Sequence, residues 1–387
     1  MIPRQMARLA QQMSEWFPVV SVTGPRQSGK STLVRATFPD YSYVNLEDPQ
    51  IRAAAIDDPV GFLKNRASRL IIDEAQYAPD LFSMVQVLSD ERGTTGQYIL
   101  SGSQNFLLMK GIRQSLAGRV GVLKLLPFSY SEALLAKQDL TADAFMLNGG
   151  YPRIYDTVIP AQVFYDGYVS TYLERDVADY LDVRSIAKFR TFISLCAARV
   201  GSLLNLTALA NDAGITYKTA QSWISILESS YILALLKPYS TNLGKRLTKT
   251  PKLYFYDTGL LCYLMGIRNA EQLTLHPSLG SIVENAVIAE RLKSYLNRGE
   301  TPSLFFYRDD SKIEVDLVDI TDPDRPQLAE IKSSQTYHQK YARHLKKVGD
   351  LLGIGPESQS VILRIEGSYR SGETNIVSLS DELRSMG

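Results

Sequence analysis

Cysteine is scarce, with only Cys196 and Cys262 in 387 residues. Two cysteines cannot build a disulfide framework, and their separation does not match the spacing of a zinc site, so a reducing compartment is expected. An excess of charge of one sign is also missing. Lys plus Arg number 42 and Asp plus Glu 41, for a net charge of +1. That balance gives no global field for coating nucleic acid and no acidic tail, and leaves open only a local basic patch. No eighteen uncharged apolar residues run together, which excludes an ordinary transmembrane helix. Between Met1 and Met13, Gln5, Arg8, Gln11 and Gln12 interrupt the apolar residues, so this stretch has no signal-peptide core. What remains is typical of a globular chain: 45% hydrophobic residues, enough to bury sizeable cores. At about 150 residues per domain, the length suggests two or three domains. The expectation is a cytoplasmic, multidomain protein with no membrane partner.

Hydrophobic spacing sets out the elements. Met6, Leu9, Met13 and Trp16 fall at helical intervals within residues 4–16. Apolar runs at 17–23, 41–46, 69–72, 97–100 and 120–125 predict five strands, with helix-length segments between most of them. Such alternation implies an α/β domain, a mostly parallel sheet with helices on both faces. After Pro127 the pattern changes. Residues 128–200 read as mainly helical, broken by Gly149-Gly150-Tyr151-Pro152. Compact helices and a small hairpin follow over 205–260, then a long helix over about 282–296 and several strands. The expected divisions are 1–130, 131–200, 201–270 and 271–387.

The strongest local signal is Gly24-Pro25-Arg26-Gln27-Ser28-Gly29-Lys30-Ser31, a complete G-x-x-x-x-G-K-S phosphate loop with Thr32 leading into a helical run. Gly24 and Gly29 allow the backbone to fold round phosphate oxygens, while successive N–H groups and the helix N-terminus stabilise the anion. In this pattern Lys30 reaches the β- and γ-phosphates of ATP, and the Ser31 hydroxyl completes a Mg²⁺ shell. Downstream, Arg69-Leu70-Ile71-Ile72-Asp73-Glu74 is a buried-type strand ending in two acids, at the end where parallel sheets bind ligands. Asp73 suits Mg²⁺, and Glu74 suits activation of the attacking water. A third polar strand end, Ser101-Gly102-Ser103-Gln104, can contact the γ-phosphate or orient water; a plain Ser/Gly turn is the alternative. Arg119 is the first candidate for neutralising phosphoryl charge, in a neighbouring subunit's site or else as a surface ion pair, and Arg175 is the second.

The ordered runs GPRQSGKST, LIIDEAQ, ILSGSQ, SLAGR and LPFSYSEAL resemble those of the bacterial and archaeal AAA-type ATPases that carry a domain of unknown function at their C-terminus. GGYP and YLERDV resemble the opening of that companion domain. The resemblance spans essentially the whole chain. It implies strand order 5-1-4-3-2, with Asp73-Glu74 on the third strand and Ser103 or Gln104 at the sensing position.

Two further modules are expected. Over 205–239, Leu206, Leu209 and Ala210 mark one helix face, Gly214 ends that helix and Thr216 caps the next, whose face carries Ala220, Trp223, Ile224 and Leu227. With a hairpin across 231–255 this fits a winged helix, and Lys245, Arg246, Lys249 and Lys252 surround its wing. Those bases can touch a nucleic-acid backbone, or the module can serve only for packing or protein recognition. Farther on, Glu284 on a helix, Asp316 on a strand and Glu330-Ile331-Lys332 resemble the PD-(D/E)XK restriction-endonuclease-like fold, in which Asp316 and Glu330 would hold Mg²⁺, Lys332 would stabilise charge and Glu284 would support a second metal. Arg343, Lys346 and Lys347 add a basic run nearby. The leading expectation is a homo-oligomeric, Mg²⁺-dependent ATPase that moves its helical and nuclease-like modules. The alternatives are an ATP-regulated DNA or RNA nuclease, and an ATP-bound switch for protein or nucleic acid with little turnover.

Overall fold

The computed structural model describes residues 2–103, 105–157, 159–177, 185–239 and 250–386. Contacts divide the chain into two units. One comprises Met1–Pro127, Ser229–Tyr231 and Leu296–Glu300; the other comprises Phe128–Glu228, Ile232–Tyr295 and Thr301–Gly387. Gln104 and the wing bases Lys245, Arg246 and Lys249 lie outside the described residues, as does the side chain of Arg175.

In the first unit, β1 (Val19–Thr23), β2 (Ser42–Asn45), β3 (Leu70–Asp73), β4 (Tyr98–Gly102) and β5 (Val120–Lys124) form one sheet in the order β2-β3-β4-β1-β5. Every pairing is parallel. This is the 5-1-4-3-2 order that the resemblance implied. Strand periodicity of two sends alternate residues to opposite faces. Leu70 and Ile72 therefore join Tyr98, Leu100, Phe82 and Val85 in one core, while Ile71 joins Val20, Val22, Ile99 and Leu33 in the other. Each fully buried Val, Leu or Ile contributes about 1.5–3 kcal/mol, so two-sided burial explains why these strands read as unbroken apolar runs. The helix Met6–Trp16 buries Met6 and Ala10 in the second core, with Leu9 and Met13 partly covered. Trp16 does not share that burial. It ends the helix and is 60% exposed, because the chain turns extended at Phe17.

The second unit combines helices with an eight-stranded sheet: β6 (Leu233–Pro238), β7 (Lys252–Phe255), β8 (Leu304–Arg308), β9 (Glu314–Asp319), β10 (Gln327–Ile331), β11 (Gln359–Leu363), β12 (Tyr369–Ser371) and β13 (Thr374–Ser378). Their order is β12-β13-β11-β10-β9-β8-β6-β7. The hairpin β6–β7 is antiparallel, and β6 runs parallel to β8 through Lys237↔Phe305 and Pro238↔Phe306. The hairpin therefore forms one edge of the same sheet as β8–β13. Ahead of it, Asn205 caps the helix Leu206–Asp212, and Gly214 turns the chain at φ 63°. Thr216 Oγ1 then accepts Thr219 N at 3.1 Å, starting Tyr217–Ser229, which buries Ala220, Trp223, Ile224 and Leu227. The long helix runs Leu279–Asn297, so it begins before the expected start and includes Gly280 in its first turn. Among the described residues no helix is long and apolar enough to cross a membrane.

Candidate functional site

The phosphate loop follows β1 directly. Gly24 has φ 154°, and a Cβ there would stand 2.0 Å from Leu125 O. Glycine at this position is thus required by close packing against the chain beyond β5. Gly29, at φ 92°, is the N-cap of the helix Lys30–Thr37. Arg4 ties the loop down from outside the motif, donating from Nη1 to Ser28 O at 2.8 Å and from Nη2 to Leu126 O at 2.7 Å. Ser28 Oγ is buried with no hydrogen-bond partner among the described residues.

Lys30 is 5% exposed, and its Nζ donates to Gly24 O at 3.1 Å and Pro25 O at 2.8 Å. The ammonium caps carbonyls of its own loop. Burial lowers its pKa to about 8, against the opposing pull of the Glu74 and Asp73 carboxylates. Lys30, just past β1, and the two acids at the end of β3 lie at the same edge of the parallel sheet. Ser31 is half-buried and Thr32 exposed, in the first turn of the helix.

Asp73 is 2% exposed at the end of β3. Its Oδ1 accepts Ser101 Oγ at 2.5 Å and Glu74 N at 3.1 Å, and its Oδ2 accepts Tyr43 OH at 2.7 Å. Burial, then the hydrogen bond and charge of Asp73, push the Tyr43 hydroxyl above its ordinary pKa, so Tyr43 keeps its proton and donates it to Asp73. Glu74 leaves the strand in the left-handed region, φ 53°. Three donors meet at its Oε2: Gln76 Nε2 at 2.5 Å, Ser103 N at 3.0 Å and Ser103 Oγ at 3.0 Å. Gly102 leaves room for Gln76, because a Cβ there would stand 2.3 Å from Gln76 Oε1. Charge-assisted bonds of this kind fix the orientation of a carboxylate. The site so built has an anion-binding loop, an oriented carboxylate at Asp73 and a second at Glu74. As hard oxygen donors, Asp73 and the Ser31 hydroxyl suit Mg²⁺.

Arg119 does not join this group within its own chain. Its carbonyl accepts Val19 N at 3.3 Å, at the N-terminal edge of the parallel strands. Lys30, Asp73 and Ser103 sit at the opposite edge, about 15 Å away along a five-residue strand. Its guanidinium forms a fork with Asp90, with Nε at 2.7 Å and Nη2 at 2.9 Å, and the resulting bond lowers the Asp90 pKa. Sequence reasoning did not assign Arg4, Tyr43 or Gln76 to the site: Arg4 and Tyr43 lie in no motif, and Gln76, although it closes the LIIDEAQ run, was given no role there. The position of Gln76, two residues past Asp73-Glu74, was the nearest available signal.

In the second unit, Glu284, Asp316, Glu330 and Lys332 lie in one ion-pair cluster. Lys332 Nζ lies 2.6 Å from Glu330 Oε1 and 3.2 Å from Asp316 Oδ2, which also accepts Ile331 N at 2.8 Å. The sequence assigned Lys252 to the wing; in the structure it reaches into this cluster. Its Nζ, on a residue 3% exposed, lies 2.7 Å from Glu314 Oε1, 3.0 Å from Glu284 Oε1 and 4.0 Å from Asp316 Oδ1. Burial works against that ammonium, but Glu284, Asp316 and Glu314 together raise its pKa. Burial first, then Asp316, also raises the pKa values of Glu284 and Glu330. Among the described residues, no group of three or more His, Cys, Asp or Glu side chains is arranged to hold a metal ion. Arg343, Lys346 and Lys347 are exposed on the helix Ala342–Leu352.

Family models match the chain in three stretches: an AAA domain over residues 17–134, a domain of unknown function (DUF8612) over 140–271, and another (DUF4143) over 279–381. Uncharacterized proteins of Mycobacterium tuberculosis and Mycobacterium bovis are each 33% identical over 326 residues, covering 82% of this chain and 71% of theirs. A Walker-type ATPase of Pyrococcus abyssi superposes with a TM-score of 0.45 at 15% identity, over 68% of this chain and 96% of that one. The phosphate loop and both strand-end acids fall inside the AAA match, and the relatives extend through most of the rest; the chain belongs to the family of AAA-domain ATPases with two C-terminal domains of unknown function.

Proposed function

We propose that the chain is a Mg²⁺-dependent ATPase in which Glu74 activates the attacking water and the nucleotide state is passed to the second unit. The observation that carries this reading is the fixed carboxylate pair at the end of β3. Asp73 is held from two sides by Tyr43 and Ser101, and Glu74 by Gln76 and Ser103. Mg²⁺, when bound, supplies Lewis-acid polarisation of the phosphoryl oxygens, with Ser31 and Asp73 as its protein-side holders. The residues do the rest. Backbone N–H groups from Gly24 to Lys30 orient the phosphates, and Lys30 exchanges the carbonyls of Gly24 and Pro25 for phosphate oxygens. Glu74 accepts hydrogen bonds at Oε2, which orients the carboxylate toward a water. Ser103 links it to β4, so loss of the γ-phosphate is felt at two strand ends together.

Glu74→Gln tests the assignment. Nucleotide affinity is expected to stay within about twofold while phosphate release falls by about a hundredfold or more, the range of general-base contributions. Unchanged turnover removes Glu74 from the role. If ATP binds to the natural chain with no turnover, the protein is a nucleotide-bound switch.

A further inference from the structure

We infer that the cation of the C-terminal carboxylate cluster is the ammonium of Lys252, so that this cluster is closed by a side chain of its own and excludes a divalent metal. The inference is independent of the ATPase reading, because every group involved lies in the second unit.

The first argument is occupancy. Lys252 Nζ stands between Glu284 and Glu314 at hydrogen-bonding distance and faces Asp316 Oδ1 at 4.0 Å. Mg²⁺ needs oxygens at about 2.0–2.1 Å in near-octahedral array, and a metal drawn to these oxygens would meet the ammonium first. Tyr254 OH also donates to Glu284 Oε1 at 2.5 Å, so that oxygen already receives two donors. On Asp316, Oδ2 accepts from Ile331 N and Lys332 Nζ, which leaves Oδ1, the oxygen that faces Lys252.

The second argument is charge. Glu284, Glu314, Asp316 and Glu330 face Lys252, Lys332 and Arg308, the last 3.1 Å from Glu314 Oε2. Four carboxylates against three cations leave a residual charge of only one. A divalent ion added to this set would make a buried cluster net positive, which burial penalises. The buried Oε2 of Glu330, without a partner among the described residues, is one oxygen and does not change that balance. The Mg²⁺ expected from the nuclease-like pattern therefore does not fit the residues present. The pattern Glu284, Asp316, Glu330-x-Lys332 persists as a salt-bridge network holding β7, β9, β10 and the Leu279–Asn297 helix together.

The test is Asp316-dependent Mn²⁺ binding to the nucleotide-free full chain, read by electron paramagnetic resonance as the difference between each protein and its Asp316→Asn counterpart. The natural chain is expected to show no such difference up to millimolar Mn²⁺. Lys252→Met, and independently Lys252→Gln, which keeps a donor for Glu284, are expected to gain it with at least tenfold tighter binding. Asp316-dependent Mn²⁺ binding in the natural chain overturns the inference. So does its absence from every folded Lys252 variant, since the ammonium is then not what keeps the metal out. If neither variant folds, the natural chain still decides by titration to 10 mM Mn²⁺ with amine-labelling of Lys252 as the readout: continued protection supports the ammonium as the resident cation, and metal-dependent labelling refutes it.

Discussion

Raising the pH from 7 to 9 is expected to weaken Mg·ATP binding about tenfold, through one side chain. Without nucleotide, Lys30 is buried against Gly24 O and Pro25 O, with its pKa lowered to about 8. The triphosphate brings several negative charges to the same ammonium and lifts its pKa back toward or beyond the ordinary lysine value. The direction follows from linkage. The bound state holds the proton more tightly than the free state, so binding takes up a proton, is strongest below pH 8 and is lost as pH rises through that value. With a free-state pKa of about 8 the apparent Kd scales as one plus ten to the power (pH − 8), which gives about 1.1 at pH 7 and about 11 at pH 9, or ~1.4 kcal/mol. At pH 8 about half a proton enters per nucleotide bound. Isothermal titration at pH 8 in two buffers of different ionisation enthalpy measures that uptake directly, and a Kd series from pH 7 to 9 measures the slope. In Lys30→Arg the guanidinium stays charged throughout, so its binding is expected to be pH-independent over this range, whatever its absolute affinity. A flat pH profile in the natural chain, with buffer-independent heats, refutes the reasoning.

Other outcomes follow from individual contacts. Gly24→Ala places a Cβ 2.0 Å from Leu125 O at φ 154°, and thermal unfolding is expected to show a loss of about 3 kcal/mol or more, at the upper end for single substitutions. Ser103→Ala removes one of the three donors on Glu74 Oε2; it is expected to lower kcat by about tenfold while leaving nucleotide Kd unchanged, as for an interaction that serves the transition state. Because the Arg119–Asp90 fork is solvent-exposed, Arg119→Ala is expected to leave the unfolding midpoint where it is, as scanning calorimetry can check.

The nucleotide half was largely legible in the sequence because its signals are local and periodic. VVSVT, LIID and YILSG are apolar on both faces, which only a covered parallel sheet explains, and the phosphate loop and Asp73-Glu74 are contiguous. The second unit was legible in pieces. The face of Ala220, Trp223, Ile224 and Leu227 and the Thr216 cap follow helical spacing. Trp16 misled because spacing says which residues share a face and not how far along the helix the core extends.

What the sequence determined by itself, then, was the set of short-range facts: strand and helix identity, the loop that binds phosphate and the acids at the end of β3. Only the tertiary structure decided which distant side chains meet those acids. Tyr43 reaches Asp73 from the neighbouring strand, and Ser103 reaches Glu74 from the end of β4. Arg4 clamps Ser28 from the N-terminal segment. Lys252, expected beside a solvent-facing wing, is buried among Glu284, Glu314 and Asp316 because β6 pairs with β8 and brings the hairpin into the C-terminal sheet. The physical reason is the range of the interactions. Periodicity and backbone conformation act over a few residues, whereas a buried charge takes its partner from whatever the fold brings within about 4 Å, at any separation along the chain.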